Sequence, residues 1–134
     1  MDAFELHDLA VSIGGRDVEA RLLAVVTAPH CDLGTARMVY WTSSPHYYQR
    51  YAHRDEVPEY ERAGWDLLAA IEDRVARGGY ASAGIQFDPE RDRQTRSVRG
   101  VDWTADQRLV RTTNVREIPA FMRLGQGTKL QGTK

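Results

Sequence analysis

His30, Cys31 and Asp32 stand side by side in the stretch APHCDLGTARMVYW, and Cys31 is the only cysteine of the chain. Three kinds of chemistry use such residues. A thiol near the N-terminus of a helix has its thiolate favoured and becomes a nucleophile once a base lies close. Zinc takes about four ligands, at spacings such as C-x₂₋₄-C or H-x₃₋₅-H. The four histidines here are His7, His30, His46 and His53, none paired at i, i+3 or i+4, and there is no second cysteine. The third use is structural. Pro29 ends one helix, and Asp32 caps the next by accepting from the amides of Gly34 or Thr35. Cys31, just before the cap, then turns inward as a small hydrophobe suited to a hydrophobic staple. The structural use is the expectation, with no catalytic, cofactor or metal residue assigned. An enzyme using Cys31 or a histidine is the alternative.

A second constellation lies in SPHYYQRYAHRDEVPEYE, residues 44–61. It holds four tyrosines, two histidines, two arginines and, toward its end, four acids. Tyr47, Tyr48 and Tyr51 could simply cover the edge of the core with their hydroxyls in water. Tyrosine and arginine are also the residues enriched at interface hot spots, and a short connection between two strong helices is a common place for function. The candidate partner-binding residues are therefore Tyr47, Tyr48, Arg50, Tyr51, Asp55, Glu56, Glu59 and Glu61. Base stacking on the rings is opposed by the acids, which repel phosphate. Paired carboxylates such as Glu72-Asp73 read as a solvated helix face. No P-loop, GxGxxG, HExxH or GxSxG pattern occurs.

The elements that position these residues are mostly helical. Leu6, Leu9, Ala10 and Ile13 repeat with a helical period, and Gly14-Gly15 closes that segment. Val18, Leu22, Val25 and Val26 mark a second helix, stopped by Pro29. A third, from Asp32, carries Leu33, Ala36, Val39 and Tyr40. After it, Ser44 can cap a short turn with Pro45 in first place. PEYERAGWDLLAAIEDRVARGG is the clearest helix, with Tyr60, Gly64, Leu67, Leu68, Ile71 and Val75 on one face. Beyond Gly79 the pattern changes: AGIQF and RLVRTTNV have strand-like composition, although TADQRLV could start a helix, and LGQGTKLQGTK is polar and glycine-rich. The expected fold is mainly α, about four packed helices with a small irregular or β-containing C-terminal segment. We expect one domain over 1–124, with a helical body at 1–80, a C-terminal segment at 81–124 and a flexible tail at 125–134.

The chain has 134 residues, 42% hydrophobic and 28% charged, which fits one globular core. Its net charge is −1 but is unevenly spread. Residues 1–84 hold 8 Arg against 13 Asp and Glu, and residues 85–134 hold 10 Arg and Lys against 6 acids. Arg91, Arg93, Arg96, Arg99, Arg108 and Arg111 could form a basic patch, but Glu90, Asp92, Asp102 and Asp106 dilute it. Docking of this segment on the acidic helical body is the simpler expectation, and no nucleic-acid partner is expected. No apolar run approaches the roughly 18–20 residues that cross a bilayer. From the acidic start MDAFELHDLA no secretory leader is expected, and with one cysteine the expected setting is reducing and cytoplasmic.

The run PHCDLGTARMVYW, the Tyr-Tyr region, the helix ending IEDRVARGGY and the segment IQFDPERD together resemble the bacterial domain of unknown function family 4274. Cys31, Asp32, Gly34, Thr35, Ala36 and Trp41 occupy its Cys-Asp-x-Gly-Thr-Ala helix, and Phe87, Asp88 and Pro89 its closing segment, over roughly residues 3–90. The resemblance implies the helical body and no settled reaction. Its small members look like immunity proteins and accessory partners found near bacterial toxin genes. The expected function is a non-enzymatic domain that binds a protein partner, a co-encoded toxin, with no cofactor and no membrane. A small enzyme and a regulatory or scaffold module are the alternatives. The lack of ligand spacing predicts that protein purified without tags contains no stoichiometric zinc or iron. Elemental analysis finding about one metal per chain, removed by chelator with loss of fold, would contradict this.

Overall fold

The structure, a computed structural model, describes residues 1–82, 84, 85, 116, 118, 119, 121 and 122. Among these it is mainly helical, in the order α1 (Ala3–Ser12), α2 (Val18–Thr27), α3 (Leu33–Thr42), α4 (Pro45–Tyr48) and α5 (Arg62–Ala76), with 3₁₀ turns at Arg54–Glu56 and Glu59–Glu61. No helix among the described residues is long and apolar enough to cross a membrane.

Helix α3 is the centre. Gly34, Thr35, Ala36, Met38, Val39, Tyr40 and Trp41 are all buried, so α3 has almost no solvent face. Helices α1, α2 and α5 pack against it. From α1 and its C-cap come Leu6, Ala10 and Ile13, from α2 Leu22, Val25 and Val26, and from α5 Leu67, Leu68 and Ile71. Leu9 is more exposed than its place in the α1 stripe predicts. The inward line is Leu6 and Ala10 of α1 with Ile13 at its C-cap, and Leu9 falls to one side of it.

Capping sets the helix ends. Asp2 and Glu5 form a reciprocal capping box at α1, each amide donating to the other's carboxylate at 2.9 Å. After α1, Ile13 is extended and Gly15 takes the left-handed conformation (φ 78°). Pro45 opens α4 as the sequence predicts. Ser44 does not cap it through its side chain, because its backbone is left-handed (φ 61°) rather than in the extended conformation of an N-cap.

The first turn of α3 meets the chain that follows α5. The Leu33 amide donates to the Ala81 carbonyl at 2.8 Å, and Asp32 and Ala81 form an isolated parallel bridge. This bridge precedes AGIQF, the expected strand, most of which lies outside the described residues. A Cβ built on Gly34 would overlap the Ile85 carbonyl. On the next residue, Thr35 Oγ1 lies 2.8 Å from His7 Nδ1 and ties α3 to α1.

Helix α5 begins at Arg62, four residues later than the pattern from Pro58 predicts. Pro58 lacks an amide, and the Glu61 amide donates to its carbonyl at 2.8 Å in the tighter 3₁₀ geometry. Tyr60 is left 85% exposed, off the buried face. At the other end, the Arg74 guanidinium donates to the carbonyls of Val26 and Ala28 at 2.9 Å and Pro29 at 3.3 Å. Val26 stands in the last turn of α2 and Ala28 and Pro29 just beyond it, where carbonyls fall outside the helical ladder. A cation at the negative end of the dipole satisfies them. The Tyr80 hydroxyl adds a second donor to Val26, at 2.7 Å, and its ring lies under the Arg74 guanidinium.

Part of the C-terminal segment completes this body. Ile118 and Met122 are buried in the core. The Arg116 guanidinium donates to Glu72 at 2.9 and 3.1 Å, and the Tyr40 hydroxyl donates to the same carboxylate at 2.7 Å. Glu72 is therefore not a solvated-face residue. It faces α3 and the returning chain, while Asp73 beside it is exposed and pairs with Arg77. Arg116 joins the acidic body through Glu72, but the docking expectation rests on other arginines. The six arginines from Arg91 to Arg111, the RLVRTTNV strand and the 125–134 tail lie outside the described residues.

The contact at Gly34 generates a prediction. Gly34→Ala should destabilise the fold by more than about 2 kcal/mol despite alanine's better helix propensity, because neither backbone can yield cheaply. Gly78→Ala, at a site with open space but a left-handed φ of 66°, should cost about 1 kcal/mol. Equal urea midpoints for the two variants would contradict the close approach.

Candidate functional site

Asp32 caps α3 as its sequence position predicts, its carboxylate accepting from the Gly34 amide at 2.8 Å. Cys31 is fully buried within the core cluster. Burial pushes its thiol up to about 11; the nearby Arg74 charge opposes this shift and the Asp32 charge adds to it. Desolvation thus outweighs the Arg74 charge and favours the protonated thiol. His30 is exposed. Asp32 and Cys31 both serve the start of α3.

The tyrosine-rich segment gathers on Glu61. Tyr47 donates to Glu61 Oε2 at 2.6 Å and Tyr51 to Oε1 at 3.2 Å. Tyr48 donates to the Glu61 backbone carbonyl at 3.1 Å. The Tyr47 ring meets Tyr48 edge-on at 5.1 Å and Tyr51 at 6.3 Å. Hydrogen bonding to Glu61 pushes the Tyr47 phenol well above its ordinary range, and burial pushes Tyr48 up to about 12. Gly64 makes room for this cluster, since a Cβ there would overlap the Tyr48 hydroxyl. A glycine inside a strong helix is the signal that could have announced such an approach.

The connection from Ala52 to Glu61 is latched at several points. Glu56 accepts from the amides of Ala52 at 2.8 Å and His53 at 3.3 Å. Arg54 makes a two-pronged pair with Asp66, at 2.7 and 3.0 Å. Arg62 donates to the Val57 carbonyl at 3.0 Å. Beneath it, Val57 is buried. Of the eight candidate residues, Tyr47, Tyr48, Tyr51 and Glu61 are brought into one cluster, with Arg50 stacked on Tyr47. Asp55, Glu56 and Glu59 are exposed on the connection. The carboxylate of Glu61 is engaged within the cluster, so the acids left facing outward are Asp55 and Glu59, with Glu56 holding the turn.

Residues the sequence did not single out complete the support. Gln49 is buried and bridges His46 Nδ1, at 2.9 Å, to the Arg116 carbonyl, at 3.2 Å. Because the Gln49 amide nitrogen serves Arg116, its oxygen faces His46, whose Nδ1 is then the donor. No group of three or more His, Cys, Asp and Glu that could hold a metal occurs among the described residues.

The family model described as domain of unknown function (DUF4274) matches residues 16–76, from just before α2 to the end of α5. It is the family that the Cys-Asp-x-Gly-Thr-Ala run resembles, over a narrower span than 3–90. No curated protein and no solved structure matches the chain.

The raised thiol fixes the sign of a pH effect. Its folded value lies above the ordinary 9.0, so burial of the neutral thiol favours folding below about pH 9, and that contribution is lost as pH rises to about 11. The change amounts to about 2–3 kcal/mol at most. The tyrosine hydroxyls act in the same direction but only above their ordinary 10.0. Cys31→Ala should therefore show a shallower loss of stability between pH 9 and 10 than the wild type. Native Cys31 should also resist alkylation at pH 8 and react once unfolded. Rapid labelling of the folded protein would show the thiol to be open.

Proposed function

We propose that this chain is a non-enzymatic protein-binding domain, an immunity protein that masks a toxin encoded beside it, in the cytoplasm. The observation that carries the proposal is the anchoring of Tyr47 and Tyr51 on one carboxylate, next to a latched connection with Asp55, Glu56 and Glu59 exposed. A binding surface gains affinity when its aromatic groups are ordered before the partner arrives, since less freedom is lost on association. Acids around the anchors suit a basic partner. A nuclease toxin needs a positive substrate groove, and an acidic cover competes there with phosphate. The deeply buried, proton-retaining Cys31 weighs against the enzyme alternative that would use it.

Titration calorimetry with the product of the neighbouring toxin-like gene tests this. Tyr47→Ala and Tyr51→Ala should each weaken binding by more than about 1–2 kcal/mol. Charge reversal at Asp55 or Glu59 should act mainly on the association rate and its salt dependence. Asp73→Asn, on the far exposed part of α5, is the control and should be nearly neutral; Glu72 cannot serve, because it holds Arg116. Folded tyrosine variants that bind like wild type would overturn the assignment of the surface. A chain that binds no neighbouring gene product and turns over a small molecule would overturn the class.

A further inference from the structure

Three arginines among the described residues lie over aromatic rings, and they differ in how firmly they are held. Arg74, over Tyr80, donates to four backbone carbonyls. Arg116, over Trp65, is paired with Glu72 and part of its bond network is buried. Arg50 is different. Its guanidinium carbon lies 4.1 Å from the centroid of Tyr47, yet the residue is exposed and its one side-chain hydrogen bond among the described residues goes to the Tyr47 carbonyl, at 3.1 Å. No described carboxylate lies within ion-pair distance of it.

The ring under Arg50 has several partners, whereas the cation has one hydrogen bond besides the ring. Tyr47 is tied through its hydroxyl to Glu61, and Tyr48 and Tyr51 pack on it edge-on. A phenol that donates to a carboxylate carries extra electron density, which strengthens its attraction for a cation above the ring. The exposed acids of the adjoining connection add a field that draws positive charge.

We propose that Tyr47 is a seat for a guanidinium group, that Arg50 fills it in the free protein, and that an arginine of a basic protein partner displaces Arg50 on binding. The proposal rests on the tyrosine surface being an interface, and it names the chemistry of the group received there. A guanidinium is preferred to an ammonium, because its plane stacks on the ring while its edges still donate.

The test uses the full chain and two synthetic peptides of equal charge, one of alternating arginine and glycine, the other of alternating lysine and glycine. Arg50→Ala should bind the arginine peptide about two- to fivefold more tightly than wild type, the scale of an exposed cation–aromatic contact. The lysine peptide should show no such gain. Tyr47→Leu in the Arg50→Ala background should abolish the gain, and Tyr47→Phe, which keeps the ring and loses the Glu61 bond, should retain most of it. Thermal melts establish that each variant is folded. Equal gains for both peptides, or no gain for either, would overturn the seat. With the co-encoded partner, unchanged affinity in both Arg50→Ala and Tyr47→Leu would likewise overturn it and leave the interface standing. If no such partner binds, the immunity function fails, and the peptide comparison still decides the seat.

Discussion

A backbone-to-backbone approach at the first turn of α3 is the constraint on which the rest of the structure depends. Gly34 lies so close to Ile85 that no side chain fits between them. On one side of it Asp32 closes the helix end, and Leu33 bonds to Ala81. On the other side Thr35 reaches His7. Four consecutive residues thus tie the central helix to itself, to the chain after α5 and to α1. Within the run Cys-Asp-x-Gly-Thr-Ala, Asp32, Gly34 and Thr35 each make a different contact of this geometry, while Cys31 and Ala36 are buried in the core.

Arginine supplies much of the remaining order. Arg74 closes α2, Arg62 and Arg54 hold the connection before α5, and Arg116 fastens the returning segment. Arg74 and Arg62 meet carbonyls at a helix end and in a loop, and Arg54 and Arg116 meet the carboxylates of Asp66 and Glu72 on α5. Lysine, with one compact head, could not serve several of these at once. The scarcity of lysine in the helical body has a structural use.

The helical body was legible in the sequence because its signal is periodic. Leu67, Leu68 and Ile71 recur at the helical interval, and proline or glycine marks the breaks. The start of α5 was misplaced because Pro58 and Glu59 fit a helix by composition, while the 3₁₀ turn depends on tertiary contacts at Glu61. Glu72 was misjudged for the same reason: an acid beside another acid looks solvated until a distant arginine arrives, here from 44 positions away. The tyrosine segment was recognisable as unusual from its composition. Its convergence on Glu61 was not, because bonds spanning 10 to 14 residues across a non-repeating connection leave no period to read.

The fit between Gly64 and Tyr48 has an evolutionary consequence. The hydroxyl of Tyr48 fills the space that any side chain at position 64 would need. Neither residue can therefore drift alone. A larger residue at 64 is acceptable only after the ring has shrunk, and a shrunken ring leaves a hole that a larger residue at 64 would fill. Descendants of this sequence should pass between the two solutions by paired replacement, so positions 48 and 64 should vary together or remain fixed together.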